Sequence, residues 1–206
     1  MSYSELNQDL EVLNFYTNKQ YGFFIEIGAY DGIKFSNTYL LEKIYNWKGV
    51  CVEPIPQKFE LLCDNRKNSM CYNNAVCNEI NETVVFDIAN NLDLFSGISD
   101  NIDRRKLVVE SNKTPIVVTT ISFNNLLEKC NAPLFIDYLS LDTGGSEYEI
   151  LKSVDLQKYV FGLIDVDHNF VEPKRSQIRE LLTANGYIFI RENNWDDCYK
   201  HNSVSQ

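Results

Sequence analysis

The clearest hydrophobic pattern in the chain is the run Phe23–Gly28, which is typical of a strand that is covered on both faces. The run contains one carboxylate, Glu26, and then breaks into a turn of small residues with a second carboxylate, Asp31. Gly28 and Gly32 allow the backbone to turn sharply there and a ligand to approach closely. The pattern predicts a buried strand that leads into a nucleotide-binding turn.

The remaining pattern alternates between short apolar strands and amphipathic helices, which is typical of an α/β fold with a doubly wound, mostly parallel sheet. Further strands are predicted at Val50–Pro54, Met70–Val76, Thr83–Ile88, Pro115–Ile121, Phe135–Leu141, Phe161–Val166, Tyr187–Arg191 and Cys198–His201. Helices are predicted at Ser4–Lys19, Ser36–Tyr45, through Phe59–Cys63, from Ser122 through Leu127, after Ser146 and at Arg175–Ala184.

One segment departs from this alternation. Residues Asn90–Asn112 are rich in Asn, Asp and Ser, and they predict an irregular excursion that is either part of a substrate wall or lid, or a solvated surface loop. No internal repeat or linker interrupts the chain. We expect a single domain over residues 1–206, with an N-terminal helix within residues 1–20 and a substrate-side excursion at residues 90–112.

The chain is acidic, with a formal net charge of -10 over 206 residues. Such a surface offers little to a nucleic acid or an anionic membrane, so a neutral or cationic small-molecule partner is expected. No run is long and apolar enough to predict a membrane span. The 44% hydrophobic and 23% charged residues are ordinary for a globular protein.

The six cysteines are scattered without a CxxC pair, and the histidines are His168 and His201. This spacing argues against structural zinc and predicts free thiols in a reducing compartment. The N-terminal residues MSYSELNQDL lack the apolar segment of a signal peptide. We therefore expect a cytoplasmic protein.

Most of the candidate functional side chains lie at or just beyond the ends of predicted parallel strands, where ligands bind in doubly wound sheets. They are Glu26, Asp31, Glu53, Asp142, Asp167 and His168. Any one acid could be a helix cap or a turn former, but together they predict a ligand site. A carboxylate at the end of the second strand, as Glu53 is, holds ribose hydroxyls in such folds, and the ligand could be a dinucleotide or S-adenosylmethionine.

The turn after the first strand favours S-adenosylmethionine. Binding of a dinucleotide pyrophosphate needs G-x-G-x-x-G, and Gly28 to Gly32 does not supply it. Glu26 and Asp31 would place negative charge beside phosphates. S-adenosylmethionine instead brings an ammonium, a sulfonium and ribose hydroxyls, which match carboxylates in charge and in hydrogen bonding.

An ordered set of motifs resembles the FkbM family of S-adenosylmethionine-dependent methyltransferases, with the class I Rossmann-like fold. The motifs are FIEIGAYDG with Ser36–Thr38, GVCVEP at Gly49–Pro54, NNAV at Asn73–Val76, SGISD at Ser96–Asp100, IDYLSLDTGGSEYEIL at Ile136–Leu151, VDHN at Val166–Asn169 and NGYIFIRENNWDDCYKH at Asn185–His201. The resemblance implies a sheet of seven strands, mostly parallel with the last one antiparallel, and helices on both faces. It also implies methyl transfer to oxygen, commonly on a sugar or a polyketide-like molecule.

The resemblance assigns the cofactor site by analogy. It implies that the methionine part lies near Glu26, Gly28 and Asp31, the ribose near Glu53, the adenine near Asn74–Val76, and the sulfonium and acceptor near Asp142. The full set of expected cofactor-binding residues is Glu26, Gly28, Ala29, Asp31, Gly32, Asn37, Thr38, Glu53, Pro54, Asn74, Ala75, Val76 and Asp142.

Two positions depart from the family pattern. Gly144 stands where the family pattern Asp-x-Glu-Gly-x-Glu has its middle acid, and Asp167 stands where Glu-His-Asn is usual. For the transfer step His168 is our candidate base, because an imidazole accepts a proton near neutral pH. Two alternatives are that His168 only caps the strand end, and that Asp142, Asp167 and His168 gather around a divalent cation.

The first functional hypothesis is a cytoplasmic O-methyltransferase that acts on a small hydroxylated acceptor such as a sugar or nucleotide sugar. The second is a catalytically silent protein that binds S-adenosylmethionine, because Gly144 removes a family acid. The third is a nicotinamide-dependent sugar enzyme.

Overall fold

The computed structural model of the chain describes residues 1–78, 82–92, 95–102 and 106–204. The helices in these ranges are α1 (Gln8–Phe15), α2 (Tyr39–Tyr45), α3 (Pro56–Asn65), α4 (Lys106–Ser111), α5 (Phe123–Lys129), α6 (Glu147–Ser153) and α7 (Lys174–Ala184). The strands are β1 (Phe23–Ile27), β2 (Lys48–Val52), β3 (Met70–Tyr72), β4 (Ala75–Cys77), β5 (Thr83–Ala89), β6 (Gly97–Ile98), β7 (Lys113–Ser122), β8 (Phe135–Leu141), β9 (Val160–Asp167), β10 (Tyr187–Asn193) and β11 (Asp196–His201). Across these ranges, no helix has the length and apolar character that crossing a membrane requires.

The main sheet has seven strands in the order β10-β11-β9-β8-β1-β2-β3. The pairs between β9, β8, β1, β2 and β3 are parallel. The last strand of the chain, β11, is antiparallel to both of its neighbours, β9 and β10. The predicted α/β fold, with a seven-stranded sheet and an antiparallel last strand, is confirmed.

Helices cover both faces of the main sheet, as the apolar run of β1 predicts. Ile25 and Ile27 belong to a core that includes residues of α5, α6 and α7. Phe24, directly before Ile25, packs on the other face with residues of α1, α2 and α3. Because successive side chains of a strand alternate between faces, one central strand supplies both cores.

The N-terminal helix begins at Gln8 rather than at Ser4. The buried Asp9 carboxylate accepts hydrogen bonds from Tyr3 N at 2.8 Å and Ser4 Oγ at 2.9 Å. These bonds hold the preceding residues in a turn, because a side-chain acceptor satisfies donors that a helix would otherwise use.

The predicted strand Met70–Val76 is wrong as a single element, because the chain changes sheets in its middle. β3 pairs with β2 in the main sheet, whereas β4 pairs with β7 in a second sheet of order β4-β7-β5-β6. Asn73 Nδ2 donates to Glu53 O at 2.8 Å, and Asn74 Nδ2 donates to Thr119 O at 3.2 Å. Two asparagines thus tie the crossing point to both sheets.

The segment 90–112 is more ordered than the irregular excursion that its composition predicts. It contains β6, which pairs with β5, and the helix α4. Residues 93–94 and 103–105 of the segment lie outside the described residues. All six cysteines are free thiols, as their spacing predicts.

A buried arginine joins β1 to helices α2 and α3. Arg66, directly after α3, is 1% exposed. Its Nε donates to Glu42 Oε2 at 2.6 Å, and its Nη1 lies 3.2 Å from Glu26 Oε2. A guanidinium with two carboxylates satisfies charges that would be costly to bury alone.

The same guanidinium also bonds the loop between β1 and α2. Nη1 donates to Gly32 O at 3.3 Å and to Ser36 Oγ at 3.1 Å, and Nη2 donates to Thr38 Oγ1 at 2.7 Å. Glu26 in turn accepts from Asn37 N at 2.7 Å. Five donors in a rigid plane allow one arginine to hold several segments at once.

We expect Arg66→Met to lower the free energy of unfolding by about 3–5 kcal/mol, because it leaves two buried carboxylates without their cation. Urea unfolding at neutral pH measures the change. The matched control is Lys67→Met, whose ammonium pairs with Asp64 at 2.9 Å between side chains that are 65% and 78% exposed. The control should change stability by less than about 0.5 kcal/mol. Equal effects of the two substitutions would contradict the role given to Arg66.

Candidate functional site

The turn after β1 brings three strand ends together. Gly28 N and Ala29 N both donate to Val52 O, at 3.0 Å each, and Asp142 N donates to Ile27 O at 3.1 Å. Gly28 has φ +88°, and a Cβ there would lie 1.9 Å from Asp142 O. Only glycine allows this approach, so the ends of β1, β2 and β8 meet at Gly28.

Glu53 fixes the end of β2 to the same turn. Its buried carboxylate accepts from Tyr30 N at 2.9 Å through Oε2 and from Ile55 N at 2.8 Å through Oε1. The predicted ribose-binding acid is therefore held rigidly at the carboxyl edge of the sheet.

Two cavities open at this edge. The first, here called the Glu53 cavity, encloses about 650 Å³ including its open mouth. Its walls combine apolar side chains from both sheets with a few polar groups. The apolar residues are Ile27, Val52, Ile55, Val76, Phe86 and Ile98, and the polar ones include Glu53, Asn74, Ser96, Asp142, Thr143 and Ser146.

The second cavity, here called the Asp165 cavity, encloses about 1060 Å³ including its open mouth. Its lining is mainly polar and acidic, with Glu5, Gln8, Asn37, Ser140, Asp142, Asp165, Asp167, Trp195 and Asp196 among its residues. Gly28, Tyr30 and Asp142 line both cavities. The two spaces therefore adjoin at the glycine turn.

Nine of the expected cofactor-binding residues line these cavities. Gly28, Glu53, Pro54, Asn74, Ala75, Val76 and Asp142 line the Glu53 cavity, and Ala29 and Asn37 line the Asp165 cavity. Asn37 donates through Nδ2 to Ser140 Oγ at 2.9 Å, and its Oδ1 has no hydrogen-bond partner among the described residues. A ligand in the cavity can donate a hydrogen bond to that buried oxygen.

The other four expected residues lie behind the turn and line neither cavity. Glu26, Gly32 and Thr38 belong to the Arg66 network. Asp31 Oδ1 accepts from Ile33 N and Lys34 N, at 2.9 and 2.8 Å. These residues shape the turn, and the geometry gives them no place against a ligand in either cavity.

Three carboxylates converge below the shared edge. Asp142, Glu147 and Asp167 each offer an oxygen, and these atoms lie within 4.8 Å of one another. Burial and the neighbouring Asp142 charge raise the pKa of Glu147. The structure thus brings Asp142 and Asp167 together as the sequence suggests, with Glu147 in the place where His168 was expected.

His168 faces away from both cavities. Its Nδ1 accepts from Phe170 N at 2.9 Å, and its Nε2 lies 3.3 Å from Asp197 Oδ1. Arg175 also pairs with Asp197 Oδ1, at 2.6 Å. Side chains alternate along a strand, so His168 points opposite to Asp167. This placement speaks against the expectation that His168 is the base, because its ring packs beside Asp197 and lines neither cavity.

The loop at Gly144 is built for glycine. Gly144 has φ +74°, and a Cβ there would lie 2.9 Å from Ser96 O. Glu147 Oε1 accepts from Thr143 N at 2.7 Å and from Gly145 N at 3.1 Å, which holds the loop in this form. The missing family acid is therefore accompanied by a backbone conformation that disfavours any side chain.

Several lining residues are not among those that the sequence predicts. Asp165 and Asp196 line the acidic cavity together with Trp195, and Tyr30 lines both cavities. One signal was present, because Asp165 and Asp167 are spaced for the same face of β9. The sequence predicts that the last strand begins only at Cys198, so Asp196 and Asp197 are not assigned to a strand.

Asp165 and Asp196 are buried carboxyls in an acidic environment. Asp165 Oδ2 accepts from Tyr138 Oη at 2.8 Å, and Asp196 Oδ2 accepts from Gln8 Nε2 at 2.7 Å. Burial raises the pKa of Asp165. Burial, followed by the charge of Asp165, raises the pKa of Asp196 to about 8, and Asp142 and Glu5 add to the effect.

The raised pKa of Asp196 predicts how stability depends on pH. Between the ordinary value of 3.8 and about 8, the folded chain holds a proton that the unfolded chain releases. The free energy of unfolding should therefore fall as pH rises through this window. Asp196→Asn keeps an acceptor for Gln8 without the charge. We expect it to be more stable than the parent at pH 8 by on the order of 1–3 kcal/mol, and nearly equal near pH 4.

Urea unfolding at the two pH values measures this difference. The control Glu60→Gln, at an exposed position of α3, should leave the pH dependence unchanged. The prediction would be contradicted if the free energy of unfolding of the parent exceeded that of Asp196→Asn by an amount that grows with pH.

The fold is similar to those of solved methyltransferases. The structure of methyltransferase FkbM from Methylobacillus flagellatus KT is 12% identical with a TM-score of 0.55, over 88% of this chain and 44% of that chain. The METTL16 methyltransferase domain is 11% identical with a TM-score of 0.53, over 97% and 68%. Precorrin-6y C5,15-methyltransferase from Geobacter metallireducens is 13% identical with a TM-score of 0.50, over 93% and 84%. At these identities the likeness establishes the fold alone.

The sequence comparison identifies the family. No curated protein matches the chain significantly. The model of the methyltransferase FkbM domain matches residues 26–189, which include the glycine turn, Glu53, Asp142 and the acids of β9. The chain therefore belongs to the FkbM methyltransferase family and is an S-adenosylmethionine-dependent methyltransferase.

Proposed function

We propose that the chain transfers the methyl group to a hydroxyl oxygen of a small, sugar-like acceptor. The observation that supports this proposal is the meeting of two unlike cavities at Gly28, Tyr30 and Asp142. The Glu53 cavity is lined mainly by apolar side chains around the rigid Glu53 carboxylate, whereas the Asp165 cavity combines several acids with aromatic side chains such as Phe95 and Trp195. Cofactor and acceptor each need their own space with a common edge, where the reacting atoms can be aligned.

The residues of the Glu53 cavity fit S-adenosylmethionine. Val52, Ile55 and Val76 offer apolar contact to an adenine ring, and Glu53 offers acceptors to ribose hydroxyls. Gly28, which lines both cavities, leaves the backbone open to close approach, and Asn37 Oδ1 in the adjoining Asp165 cavity offers an acceptor to the cofactor ammonium. When bound, the cofactor supplies an electrophilic methyl carbon on a sulfonium. The protein's part is to hold it, exclude water and orient the acceptor.

Asp142 and Asp167 are our candidates for handling the acceptor proton. Both line the Asp165 cavity, and Asp142 lies on the edge that the two cavities share. A carboxylate here can accept a hydrogen bond from a hydroxyl and take its proton as the oxygen attacks. His168 has no such access, because it packs against Asp197.

The lining of the Asp165 cavity supports a polyhydroxylated acceptor. The carboxylates and the Ser140 hydroxyl present many hydrogen-bonding atoms to hydroxyl groups. Trp195 adds an aromatic side chain. The net charge of -10 favours a small molecule over a nucleic acid, whose phosphates such a cavity would repel.

Restoring the family acid at position 144 should raise neither the stability of the protein nor its affinity for the cofactor. Gly144→Glu places a side chain at φ +74° and within 2.9 Å of Ser96 O, beside the Glu53 cavity. We expect it to lower the free energy of unfolding by about 1–3 kcal/mol and to weaken S-adenosylhomocysteine binding. Gly144→Ala, measured by urea unfolding and calorimetry beside it, separates backbone strain from the effect of the acid. Tighter binding without loss of stability would contradict the interpretation.

Glu53 should contribute directly to cofactor affinity. We expect Glu53→Gln to weaken S-adenosylhomocysteine binding by about 10- to 100-fold, because charge-assisted hydrogen bonds are lost. Isothermal titration calorimetry measures the change. The control is Glu60→Gln on the exposed surface of α3, which should bind like the parent.

Turnover tests the transfer itself. We expect incubation with methyl-deuterated S-adenosylmethionine and a pool of small polyhydroxylated metabolites to yield S-adenosylhomocysteine and a labelled methyl ether, which mass spectrometry detects. Absence of cofactor binding at millimolar concentration would overturn the proposed function. A labelled methyl group on nitrogen or carbon would overturn the assignment to oxygen.

A further inference from the structure

One carboxyl group that lines the Asp165 cavity has an oxygen without a hydrogen-bond partner. Asp165 is 5% exposed and lines the cavity, and its Oδ1 has no hydrogen-bond partner within the ranges that the structure describes. Its Oδ2 accepts from Tyr138 Oη, and the Cys198 thiol, a weak donor, lies beside the carboxyl. A buried carboxyl oxygen without a partner is costly, so a ligand that donates to it gains more than it would in water.

The surroundings of Asp165 determine what kind of donor fits. Asp142, Asp167 and Asp196 line the same cavity, with Glu5 at an exposed position, and Lys34 is the basic side chain among the described lining residues. Burial raises the pKa of Asp196, and the charges of Asp165, Asp142 and Glu5 raise it further. A positive charge would relieve this repulsion, whereas a second anion would increase it.

Strand order separates Asp165 from the cofactor. β9 lies two strands from β1, and β11 lies three strands from it. At about 4.8 Å per strand, Asp165 and Asp196 are thus roughly 10 and 14 Å across the sheet from the glycine turn. In the proposed function the cofactor ammonium is bound by Asn37 Oδ1, and it does not need the acids of β9 and β11. The acids of β9 and β11 are therefore left for the acceptor.

We propose that the acceptor carries a protonated amine, as an amino sugar does, and that Asp165 accepts a hydrogen bond from it within the acidic cavity. The proposal rests on the proposed function and adds the charge of the substrate. An ammonium supplies three donors that separate carboxyl oxygens can share, and a tryptophan side chain such as Trp195 attracts cations as well as sugar rings.

Matched sugars test the amine directly. The protein is first saturated with S-adenosylhomocysteine, and binding of glucosamine, glucose and N-acetylglucosamine is then measured by ligand-observed NMR titration, with galactosamine and galactose as a second pair. We expect each amine to bind at least about tenfold more tightly than its neutral counterpart, because a charge-assisted hydrogen bond is gained. N-acetylglucosamine, which keeps the ring but not the charge, should bind no better than glucose.

Asp165→Asn tests the assigned residue. We expect it to reduce the amine preference to near unity while S-adenosylhomocysteine affinity stays unchanged. Asp64→Asn, which removes the same charge from an exposed side chain of α3, should keep the preference. The comparison of amine and neutral sugars uses the parent protein alone, so the proposal stays testable if Asp165→Asn fails to fold.

The outcomes separate this proposal from the proposed function. Failure of S-adenosylhomocysteine to bind overturns the proposed function. Normal cofactor binding with equal affinity for amine and neutral sugars in both pairs, or with no amine bound at millimolar concentration, overturns the amine proposal alone. An amine preference that survives in Asp165→Asn overturns the role of Asp165.

Discussion

The site depends on one buried cation. Arg66 bonds Glu26 on β1, Glu42 on α2 and the loop between these elements, and it follows directly after α3. Without a positive charge at this point, two carboxylates would lie buried in an apolar setting. The guanidinium fixes the loop after the glycine turn from behind, which leaves the front of the turn open to both cavities. Rigid support of this kind keeps a binding site in its productive geometry.

The role of each acid near the carboxyl edge of the sheet follows from the group that donates hydrogen bonds to it, and not from its sequence motif. Glu26 pairs with Arg66 and lines neither cavity. Glu53 is held by two backbone N–H groups and faces a cavity. Asp165 and Asp196 have neutral partners, Tyr138 and Gln8, so their mutual repulsion remains. The same residue type thus serves as scaffold, rigid acceptor or charge-selective wall, according to what donates to it.

The repulsion among the cavity acids links stability to binding. Burial raises the pKa of Asp165 and Asp196, so ionising these groups in the folded chain carries a cost that grows with pH. A cationic acceptor would offset that cost by stabilising the ionised carboxylates. Acids that weaken the empty fold can in this way strengthen the complex, which is a common compromise at functional sites.

The sequence by itself determined the order of the strands and helices of the main sheet, the glycine turn, and the position of Glu53, because apolar periodicity and local turn chemistry decide these features. It also indicated that Asp142 and Asp167 meet, since both follow parallel strands. It could not decide which side chains face a cavity. His168 follows Asp167 directly, yet strand alternation turns it toward Asp197, and Glu26 and Thr38 are turned toward an arginine that lies far away in sequence. The tertiary structure alone brought Gln8 and Asp196 together across 188 positions of the chain, because contacts between distant segments depend on how the sheet and helices pack.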